Sequence, residues 1–503
     1  MASRRDELNA YTFAKKRTVA SFLQPTPTGT EEGAPRPLRG FLPGLIVGAV
    51  ILAGFGAWGM FKPKAPGNWD APGKHVIIGS ESTTRYVVLK TGDRKQLHPV
   101  LNFASARLLL DGAGTDIVEV DEKVLDSGKV PIGPTLGIPY APDRLPSGQE
   151  AGKAKRWAVC EQPGAAAGSV QQATFVLAER DAHRVDGAGR LTGGEVMYVQ
   201  SAQSDTLYLI DGSGTKYEIR TEERELLLRS LVGGDSKPQQ VSDQWLGTFD
   251  DGTPIAFPDL PGTIGAPAGV PGLEESANRI GMVLRAPTGS GPQHYVVLAQ
   301  QVVPVTDFTA RLLLDRPGSL DLGQNGKAQD VAAQSFTAAP AAQSPTADHH
   351  WPRLRAQQVN RASDATVCSV LRTVKGDGSK TLSTWTSDAY PVPISDGTTS
   401  AYVTPGSGLL FRQFQGSNTK TGGTFLVTDT GLRYAVQSNS DSSAEQQPAG
   451  DDAEDSPAND VNQAQIRLGY EDVAPVPVPA DWAQFLPTGP RLDTTSAKQP
   501  QGA

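Results

Sequence analysis

The chain has 503 residues, a formal net charge of −8 and 38% hydrophobic residues. At roughly 100–200 residues per domain this length holds two to four domains, and with its 54 Gly counted the apolar content is ordinary for a folded protein, which excludes a wholly disordered chain. The acidic balance argues against a general nucleic-acid binder, and 2 Cys with 6 His leave little material for zinc clusters. The 54 Gly and 39 Pro predict many turns and short elements.

The first predicted element is a basic helix at residues 4–23, RRDELNAYTFAKKRTVASFL, followed by a Pro/Thr/Gly linker. Four apolar residues fall near one face of this helix, with Lys and Arg around them: Leu8, Tyr11, Val19 and Phe22. We expect residues 1–40 to be cytoplasmic, with this amphipathic helix lying on anionic lipid or docking a partner. The alternative is a solvated, partly frayed tail.

A membrane span is predicted at residues 41–61, FLPGLIVGAVILAGFGAWGMF, which contain no charged residue. The sequence has no second uncharged apolar stretch of this length. As a helix this segment is about 31 Å long, close to the hydrocarbon thickness of a bilayer. Seven Lys or Arg precede the span and three follow it closely, which predicts a cytoplasmic N-terminus and a large C-terminal domain outside the cell membrane. A cleaved signal peptide is the competing interpretation, but about 40 residues precede the apolar run and no Ala-x-Ala-like site follows it.

Small residues recur along this span at four-residue spacing: Gly44, Gly48, Ala49, Ala53 and Ala57. A stripe of small residues lets helices approach closely in lipid, so the sequence predicts a packing face. The alternative is that Gly and Ala are simply common in membrane helices.

After a linker at 62–74, the remaining chain contains two related halves, 75–280 and 281–503. Landmarks recur in order at offsets of 204 to 237 residues: YVVL at 86–89 and 295–298, RLLLD at 107–111 and 311–315, Cys160 and Cys368, and Trp245 and Trp482. Two copies that differ by loop insertions show this pattern. The acidic stretch 438–460 and the Gln/Ala-rich stretch 321–347 are therefore expected to be disordered insertions in the second half.

Each half is predicted to contain two hairpin-plus-helix units, because alternating apolar residues flank Gly-bearing turns and a short helix follows. Asn102 is placed to cap a helix in FASARLLL, and TEERELLLRSLV at 221–232 predicts a second helix. The predicted units span about 76–112, 196–255, 282–316 and 424–492. The predicted fold class is therefore α+β, with four units around a β-rich core and internal pseudo-twofold symmetry.

The two Cys occupy equivalent positions of the two halves. Equivalent residues near a pseudo-twofold axis face each other, so we expect a Cys160–Cys368 disulfide in the oxidising exterior. Two separate buried thiols, each acting as a small apolar side chain, are the alternative.

The sequence contains no motif that predicts catalysis, a cofactor or a metal. The nearest approach to a phosphate-binding loop is KGDGSKTL at 375–382, where Ser379 replaces the Gly before Lys380, and a solvated turn explains it better. The run Asp348-His349-His350 has no further ligands nearby, so we interpret it as a loop. His98, next to Pro99, is interpreted as structural.

The chain resembles the EccB family, the single-span core component of the type VII (ESX) secretion machinery of actinobacteria. The resemblance covers nearly the whole chain and rests on the basic opening, the span, and three further strings: RYVVL…LHPVLNFASARLLL (85–110), WAVC (157–160) and LGYEDVAPVPVPADWAQFLPTGPRLD (468–493). It implies a membrane complex with the ATPase EccC, with EccD and in many systems EccE, which exports small WXG100-type proteins. It also implies an elongated exported domain with four repeats and a disulfide between the halves.

The function expected from this resemblance is structural: the protein scaffolds the export complex through its span, and its exported domain self-associates. ATPase activity has been suggested for the family, but the missing phosphate loop argues against an enzyme here. The alternatives are a cell-wall-binding anchor module and a weak NTPase.

Overall fold

The structure is a computed structural model that describes residues 3–23, 38–61, 65–112, 116–164, 169–360, 365–394, 401–437 and 463–501. The chain divides into two compact units, Met1–Gly67 and Asn68–Ala503. The predicted insertion at 438–460 lies outside the described residues.

The first unit contains helix α1 (Arg4–Leu23), at the bounds that the sequence predicts. Its amphipathic character is weaker than predicted. At about 100° per residue, Arg4 and Lys15 project into the same sector as Tyr11 and Phe22, so charge interrupts the apolar face.

Helix α2 (Leu38–Phe61) is 24 residues long and contains Pro43 near its start. Large apolar side chains along it are exposed: Phe41, Leu42, Leu45, Ile46, Val47, Val50, Ile51, Leu52 and Phe55. Among the residues that the structure describes, no helix qualifies by length and apolarity as a membrane span. The span at 41–61 therefore stays a prediction.

The second unit is built from short strands and helices. Its strands are β1 (His75–Gly79), β2 (Arg85–Thr91), β3 (Arg94–Val100), β4 (Asp116–Val120), β5 (Arg156–Pro163), β6 (Val170–Leu177), β7 (Glu195–Ser201), β8 (Leu207–Asp211), β9 (Thr215–Glu218), β10 (Gln239–Val241), β11 (Asp250–Asp251), β12 (Val283–Thr288), β13 (Gly291–Leu298), β14 (Gln301–Val305), β15 (Gln329–Asp330), β16 (Gln357–Gln358), β17 (Thr366–Val374), β18 (Lys380–Ser387), β19 (Ala401–Val403), β20 (Gly408–Phe414), β21 (Thr424–Thr428), β22 (Arg433–Ala435) and β23 (Val476–Pro479). Its α-helices are α3 (Phe103–Leu109), α4 (Glu122–Leu125), α5 (Gly148–Ala151), α6 (His183–Asp186), α7 (Arg224–Leu231), α8 (Asp243–Leu246), α9 (Asp307–Asp315), α10 (Gln463–Arg467), α11 (Ala480–Ala483) and α12 (Thr494–Ala497). Single 3-10 turns are formed by Glu179–Asp181, Ser319–Leu322, Ala333–Ser335 and Ala341–Gln343.

Four sheets share one strand order. When the four main strands of each sheet are numbered 1 to 4 along the chain, they lie side by side in the order 3-2-1-4. The orders are β3-β2-β1-β4 in sheet 1, β9-β8-β7-β10 in sheet 2, β14-β13-β12-β15 in sheet 3 and β22-β21-β20-β23 in sheet 4. Sheet 2 has two further strands, because β11 pairs with β9 and β16 pairs with β7. In each, the fourth strand runs parallel to the first and follows a helix, respectively α3, α7, α9 and α10. A parallel pair needs such a crossover connection.

These sheets extend beyond the predicted units. Strands β4 and β15 lie after the predicted ends at 112 and 316, and β20 lies before the predicted start at 424. The mixed α+β class is confirmed, and the duplication of a single unit stays a prediction.

The helices of sheets 1 and 3 begin with the same type of cap. Asn102 accepts a hydrogen bond from the Ser105 N–H at 3.0 Å, as predicted, and donates to the Ile138 carbonyl at 2.7 Å. Thr306 accepts from the Thr309 N–H at 3.1 Å at the start of α9. Each cap satisfies a backbone donor that the first helical turn leaves free.

Residues 321–347 are ordered, contrary to the prediction of a disordered insertion. Strand β15 pairs with β12, the Val331 N–H donates to the Arg285 carbonyl at 3.0 Å, and the Ala339 N–H donates to Val302 at 2.8 Å. Val331 and Phe336 also pack against the core of sheet 3. Backbone pairing along sheet 3 thus orders a segment that is too polar to form a core of its own.

A fifth, central sheet contains strands from both halves in the order β18-β17-β5-β6-β19. One of its faces, which includes Trp157 and Val159, packs in a common cluster with buried residues of sheets 2 and 4. The other face carries Ala158 and Cys160 and has its own cluster. The two-residue period of β5 places its side chains alternately in these two cores.

The outer sheets pack in pairs that cross between the halves. Val76 and Val87 of sheet 1 share a core with Leu426 of sheet 4. Leu209 of sheet 2 shares a core with Phe308 of α9, the helix that connects β14 to β15 of sheet 3. Sheet 1 therefore packs against sheet 4, and the crossover helix of sheet 3 packs against sheet 2, so the halves are interlocked.

Arg467 of α10 fastens one of these pairs. Its guanidinium donates to the carbonyls of Leu108 at 3.0 Å and Leu110 at 2.8 Å, at the end of α3, and lies 3.4 Å from the Asp111 carboxylate. A cation at a helix C-terminus satisfies carbonyls that have no partner within the helix.

We predict that Arg467→Ala lowers the free energy of unfolding by about 1–3 kcal/mol, because it leaves these carbonyls without their charged donor. Arg144→Ala is the matched control, since the Arg144 side chain is 78% exposed and its Nη1 lies 3.9 Å from Asp429. The control should change stability by less than about 0.5 kcal/mol. Thermal unfolding of the full chain in detergent measures both, and equal effects would contradict the assignment.

Candidate functional site

The junction between the halves lies at the centre of the central sheet. Strands β5 and β17 are antiparallel, with Cys160 directly opposite Cys368. The predicted disulfide is present, with an S–S distance of 2.02 Å across 208 residues of sequence. Both Cys are fully buried.

Aromatic side chains cover this face of the sheet. The ring of Phe175 lies 5.7 Å from that of Tyr390 and 6.3 Å from that of Tyr402, between ring centroids. The Tyr390 hydroxyl donates to the Gln171 carbonyl at 3.1 Å. Burial, with a smaller contribution from Glu161, raises the pKa of Tyr390 to about 12, so the hydroxyl stays neutral near pH 7.

Glu161, next to Cys160, attaches the central sheet to sheet 2. Its buried carboxylate accepts from the Ser242 N–H at 2.9 Å, from the Ser242 hydroxyl and from the Gln172 amide at 3.0 Å. Burial raises the pKa of Glu161, and these hydrogen bonds oppose that shift. Ser242 caps α8, and Trp245 of α8 donates its indole N–H to the Val159 carbonyl at 2.8 Å.

Asp186 provides an ionic connection between the halves. Its carboxylate lies 3.1 Å from Nε of Arg156, which belongs to β5, and also binds the guanidinium of Arg372, which belongs to β17. Arg156 additionally donates to the Arg372 carbonyl at 3.2 Å. Because all three side chains are about four-fifths buried, solvent screens this group less than a surface pair.

Each half also covers an edge of the other half's central hairpin. Strand β19 of the second half pairs with β6 of the first. In return, the Leu191 N–H donates to the Thr384 carbonyl at 3.0 Å, and the Thr386 N–H donates to Gly189 at 2.8 Å, along β18. The outer strands of the two central hairpins, β6 and β18, thus each gain backbone partners from the other half.

Lys380, the lysine of the imperfect phosphate-loop motif, lies between two carboxylates. Its Nζ is 3.4 Å from Asp250 and 3.8 Å from Asp481. Asp377 accepts from the N–H and hydroxyl of Ser379, which hold the pKa of Asp377 below its ordinary value and shape the turn. Carboxylates around the lysine repel a phosphate, so this segment is organised as a turn and ion-pair site.

His98, predicted to be structural, and His349, predicted to lie in a loop, both contact other protein groups. His98 is buried, with its Nδ1 2.9 Å from the Pro134 carbonyl, and His349 lies against Trp351 with ring centroids 4.4 Å apart. Within the described ranges, no group of three or more His, Cys, Asp or Glu is placed to hold a metal ion.

The small residues of α2 face open space in the described chain. A Cβ added at Gly44 or Gly48 would meet nothing within 4 Å. The packing face formed by Gly44, Gly48, Ala49, Ala53 and Ala57 therefore stays a prediction about contacts with another helix.

The residues that the sequence did not reveal are Glu161, Asp186 and Arg467, which act through partners far away in the chain. Of these three residues, only Glu161 could have been identified from the sequence, because a Glu that directly follows the apolar run WAVC predicts a buried and paired carboxylate.

We predict that replacing both Cys160 and Cys368 by Ala lowers the free energy of unfolding by about 5 kcal/mol in the chain-entropy model, because the bridge closes a very long loop. In the native wild-type protein, both sulfurs should resist reduction and alkylation until denaturant opens the aromatic cover. Mass spectrometry after treatment of the native protein with dithiothreitol and then iodoacetamide tests this, with protein denatured before the same treatment as control. Rapid native alkylation would contradict it.

Comparison with known proteins identifies relatives over the full sequence. The family described as "Type VII secretion system ESX-1, transport TM domain B" (EccB) matches residues 1–502. The ESX-1 secretion system ATPase EccB1 of Mycobacterium tuberculosis H37Rv is 30% identical over 273 residues, which are 54% of this chain and 52% of the relative. The ESX-3 secretion system ATPase EccB3 of Mycolicibacterium smegmatis is 24% identical over 487 residues, 92% of this chain and 84% of the relative. The matched region thus spans about half the length of the EccB1 relatives.

Two solved structures share the fold. A chain of an intact ESX-5 inner membrane complex has a TM-score of 0.56 at 20% identity, covering 100% of this chain and 96% of that chain. The EccB3 dimer from the ESX-3 core complex has a TM-score of 0.55 at 22% identity, covering 84% and 99%. Since the family match extends over nearly every residue, the chain belongs to the EccB family of type VII secretion systems.

Proposed function

We propose that this protein is a structural membrane component of the type VII secretion machinery, which scaffolds the export complex through its span and its exported domain. The observation that carries the proposal is the family match over residues 1–502. Related chains come from an ESX-5 inner membrane complex and an EccB3 dimer. By analogy, the partners of this chain are an EccC-type ATPase, EccD, in some systems EccE, and a second copy of itself.

In this proposal residues 41–61 cross the membrane once, with the N-terminus in the cytoplasm. The absence of charge from this segment, the exposed apolar side chains of α2 and the excess of Lys and Arg before the span support this topology. The stripe from Gly44 to Ala57 then packs against a helix of a partner.

We further propose that sheets 1 to 4 descend from one unit and that the two halves are related by a pseudo-twofold axis. The common strand order, the packing of sheet 1 on sheet 4 and the packing of α9 of sheet 3 on sheet 2 support this relationship. Such a domain gives the complex a rigid, covalently closed framework.

The name "ATPase" carried by the relatives gives a second candidate function. The surroundings of Lys380 favour a framework role over a nucleotide-binding role, because the lysine ammonium is already paired with the carboxylates of Asp250 and Asp481. A cell-wall anchor is the third candidate.

We predict that Lys380→Ala leaves phosphate release from ATP by the purified full-length protein at the rate of the wild type and of the control Lys375→Ala. Malachite-green assay of detergent-solubilised protein measures this rate. Wild-type hydrolysis that disappears in Lys380→Ala but persists in Lys375→Ala would establish the NTPase instead.

A double substitution, Gly44→Ile with Gly48→Ile, should reduce co-purification of the EccC-type ATPase and EccD with the tagged full chain by about fivefold or more, because bulky side chains keep a partner helix away. Leu45→Ile with Val50→Leu is the control and should leave recovery unchanged. Quantitative mass spectrometry of the purified complex gives the result. If both double variants recover as much EccC-type ATPase and EccD as the wild type does, the packing stripe drops out of the proposal. If this protein is retained on purified cell wall and recovers no partner, the cell-wall anchor is favoured instead.

A further inference from the structure

Three of the four outer sheets protect the outer edge of their fourth strand. In β23, Val476 and Val478 supply the N–H groups for pairing with β20, so Pro477 and Pro479 occupy the outward positions and offer no donor. Strand β15 has only two residues. In β10, Gln239 is buried and its side chain donates to the Ala365 carbonyl at 2.8 Å. Such features prevent another strand from pairing with the edge.

Strand β4 of sheet 1 lacks this protection. It has five residues, Asp-Ile-Val-Glu-Val, without Pro, and among the described strands it pairs only with β1. The Val120 carbonyl accepts from the Ser80 N–H at 3.1 Å, which fixes Val120 and the alternate residue Val118 toward β1. The backbone groups of Ile117 and Glu119 therefore point outward, and no described residue pairs with them.

The side chains at this edge are acidic and apolar. Ile117 is 54% exposed, although it belongs to a strand. Asp116 and Glu119 are also exposed, and neither forms an ion pair within the described chain. The carboxylate of the nearby Glu122 is instead hydrogen-bonded within the chain, since it accepts from the backbone N–H groups of Glu81 and Ser82.

We propose that the free edge of β4 binds an extended segment of another protein as an added strand, and that this segment carries Lys or Arg on either side of an apolar residue. The outward N–H and C=O groups of Ile117 and Glu119 supply the backbone pairing, as in other strand-addition complexes. Side chains alternate between the two faces of a strand, so Glu119 shares a face with Ile117, and Val118 lies on the other face. The carboxylate of Glu119 selects the basic residues on its face, where Ile117 contacts their aliphatic stems, and the apolar residues of the segment meet Val118 on the other face. A second copy of β4 fits poorly, because the pair would bring four carboxylates onto one short ribbon.

Binding of a synthetic peptide to the full-length protein in detergent tests this inference. The probe is an acetylated and amidated octapeptide of alternating Lys and Val, titrated by fluorescence anisotropy. Two matched peptides serve as controls: one has Glu in place of Lys, and the other is N-methylated at every second backbone amide. We expect saturable binding of the Lys peptide alone, weakened by added salt. Equal binding of the N-methylated peptide would overturn the inference, as would the absence of binding by the Lys peptide.

Glu119→Pro removes an outward donor and should weaken binding of the Lys peptide by about tenfold, whereas Glu119→Gln keeps the donor and should weaken it only by about two- to fivefold. An unchanged melting temperature shows that the Pro variant is folded, and the N-methylated peptide tests the same backbone pairing without any variant.

Hydrogen exchange in the free protein should be fast at Ile117 and Glu119 and slow at Val118 and Val120. Slow exchange at Ile117 and Glu119 would show that the edge is already covered and would overturn the inference.

Discussion

The antiparallel pairing of β5 with β17 is the constraint on which the larger unit depends. The first half contributes β5 and β6 to the central sheet and the second half contributes β17, β18 and β19, so neither half completes that sheet alone. The disulfide joins the two strands covalently, and Asp186 connects them through Arg156 and Arg372. Because one face of the sheet packs on sheets 2 and 4, displacement of β5 relative to β17 would disturb both cores.

The interlocked packing of the outer sheets adds to this constraint. Sheet 1 begins the unit and packs against sheet 4, which ends near its C-terminus, while sheet 2 packs against α9, the crossover helix of sheet 3. Contacts of this kind join residues that are hundreds of positions apart, so their loop-closure entropy is large. The covalent bridge across 208 residues lowers that cost by restricting the unfolded chain. A framework for a membrane machine benefits from this arrangement, since its halves cannot separate while the bridge is intact.

The sequence predicted the features that arise from local patterns and from internal comparison. Alternating apolar residues placed the hairpins, Asn102 followed from capping chemistry, and the matched positions of Cys160 and Cys368 indicated the bridge. It failed where distant partners decide the outcome. Residues 321–347 look disordered by composition, yet they are ordered by pairing with β12 and Val302, which no local property reveals. Arg467 and Asp186 are ordinary charged residues in the sequence, and only the fold brings them to α3 and to the central sheet.

The two halves are fastened to the central sheet by different chemistry. Trp245 and Trp482 occupy matching places in short helices, and both are fully buried in the same cluster. Trp245 donates its indole N–H to Val159, but the indole N–H of Trp482 has no hydrogen-bond partner among the described residues. The helix beside sheet 4 is instead fastened through its backbone and a carboxylate, because the Phe485 carbonyl accepts from the Thr174 hydroxyl of β6 at 3.2 Å and Asp481 lies 3.8 Å from Lys380 of β18. Both short helices are thus fixed to the central sheet by polar contacts, but the indole N–H takes part only at Trp245, so replacing Trp245 by Phe removes a hydrogen bond that the same change at Trp482 does not.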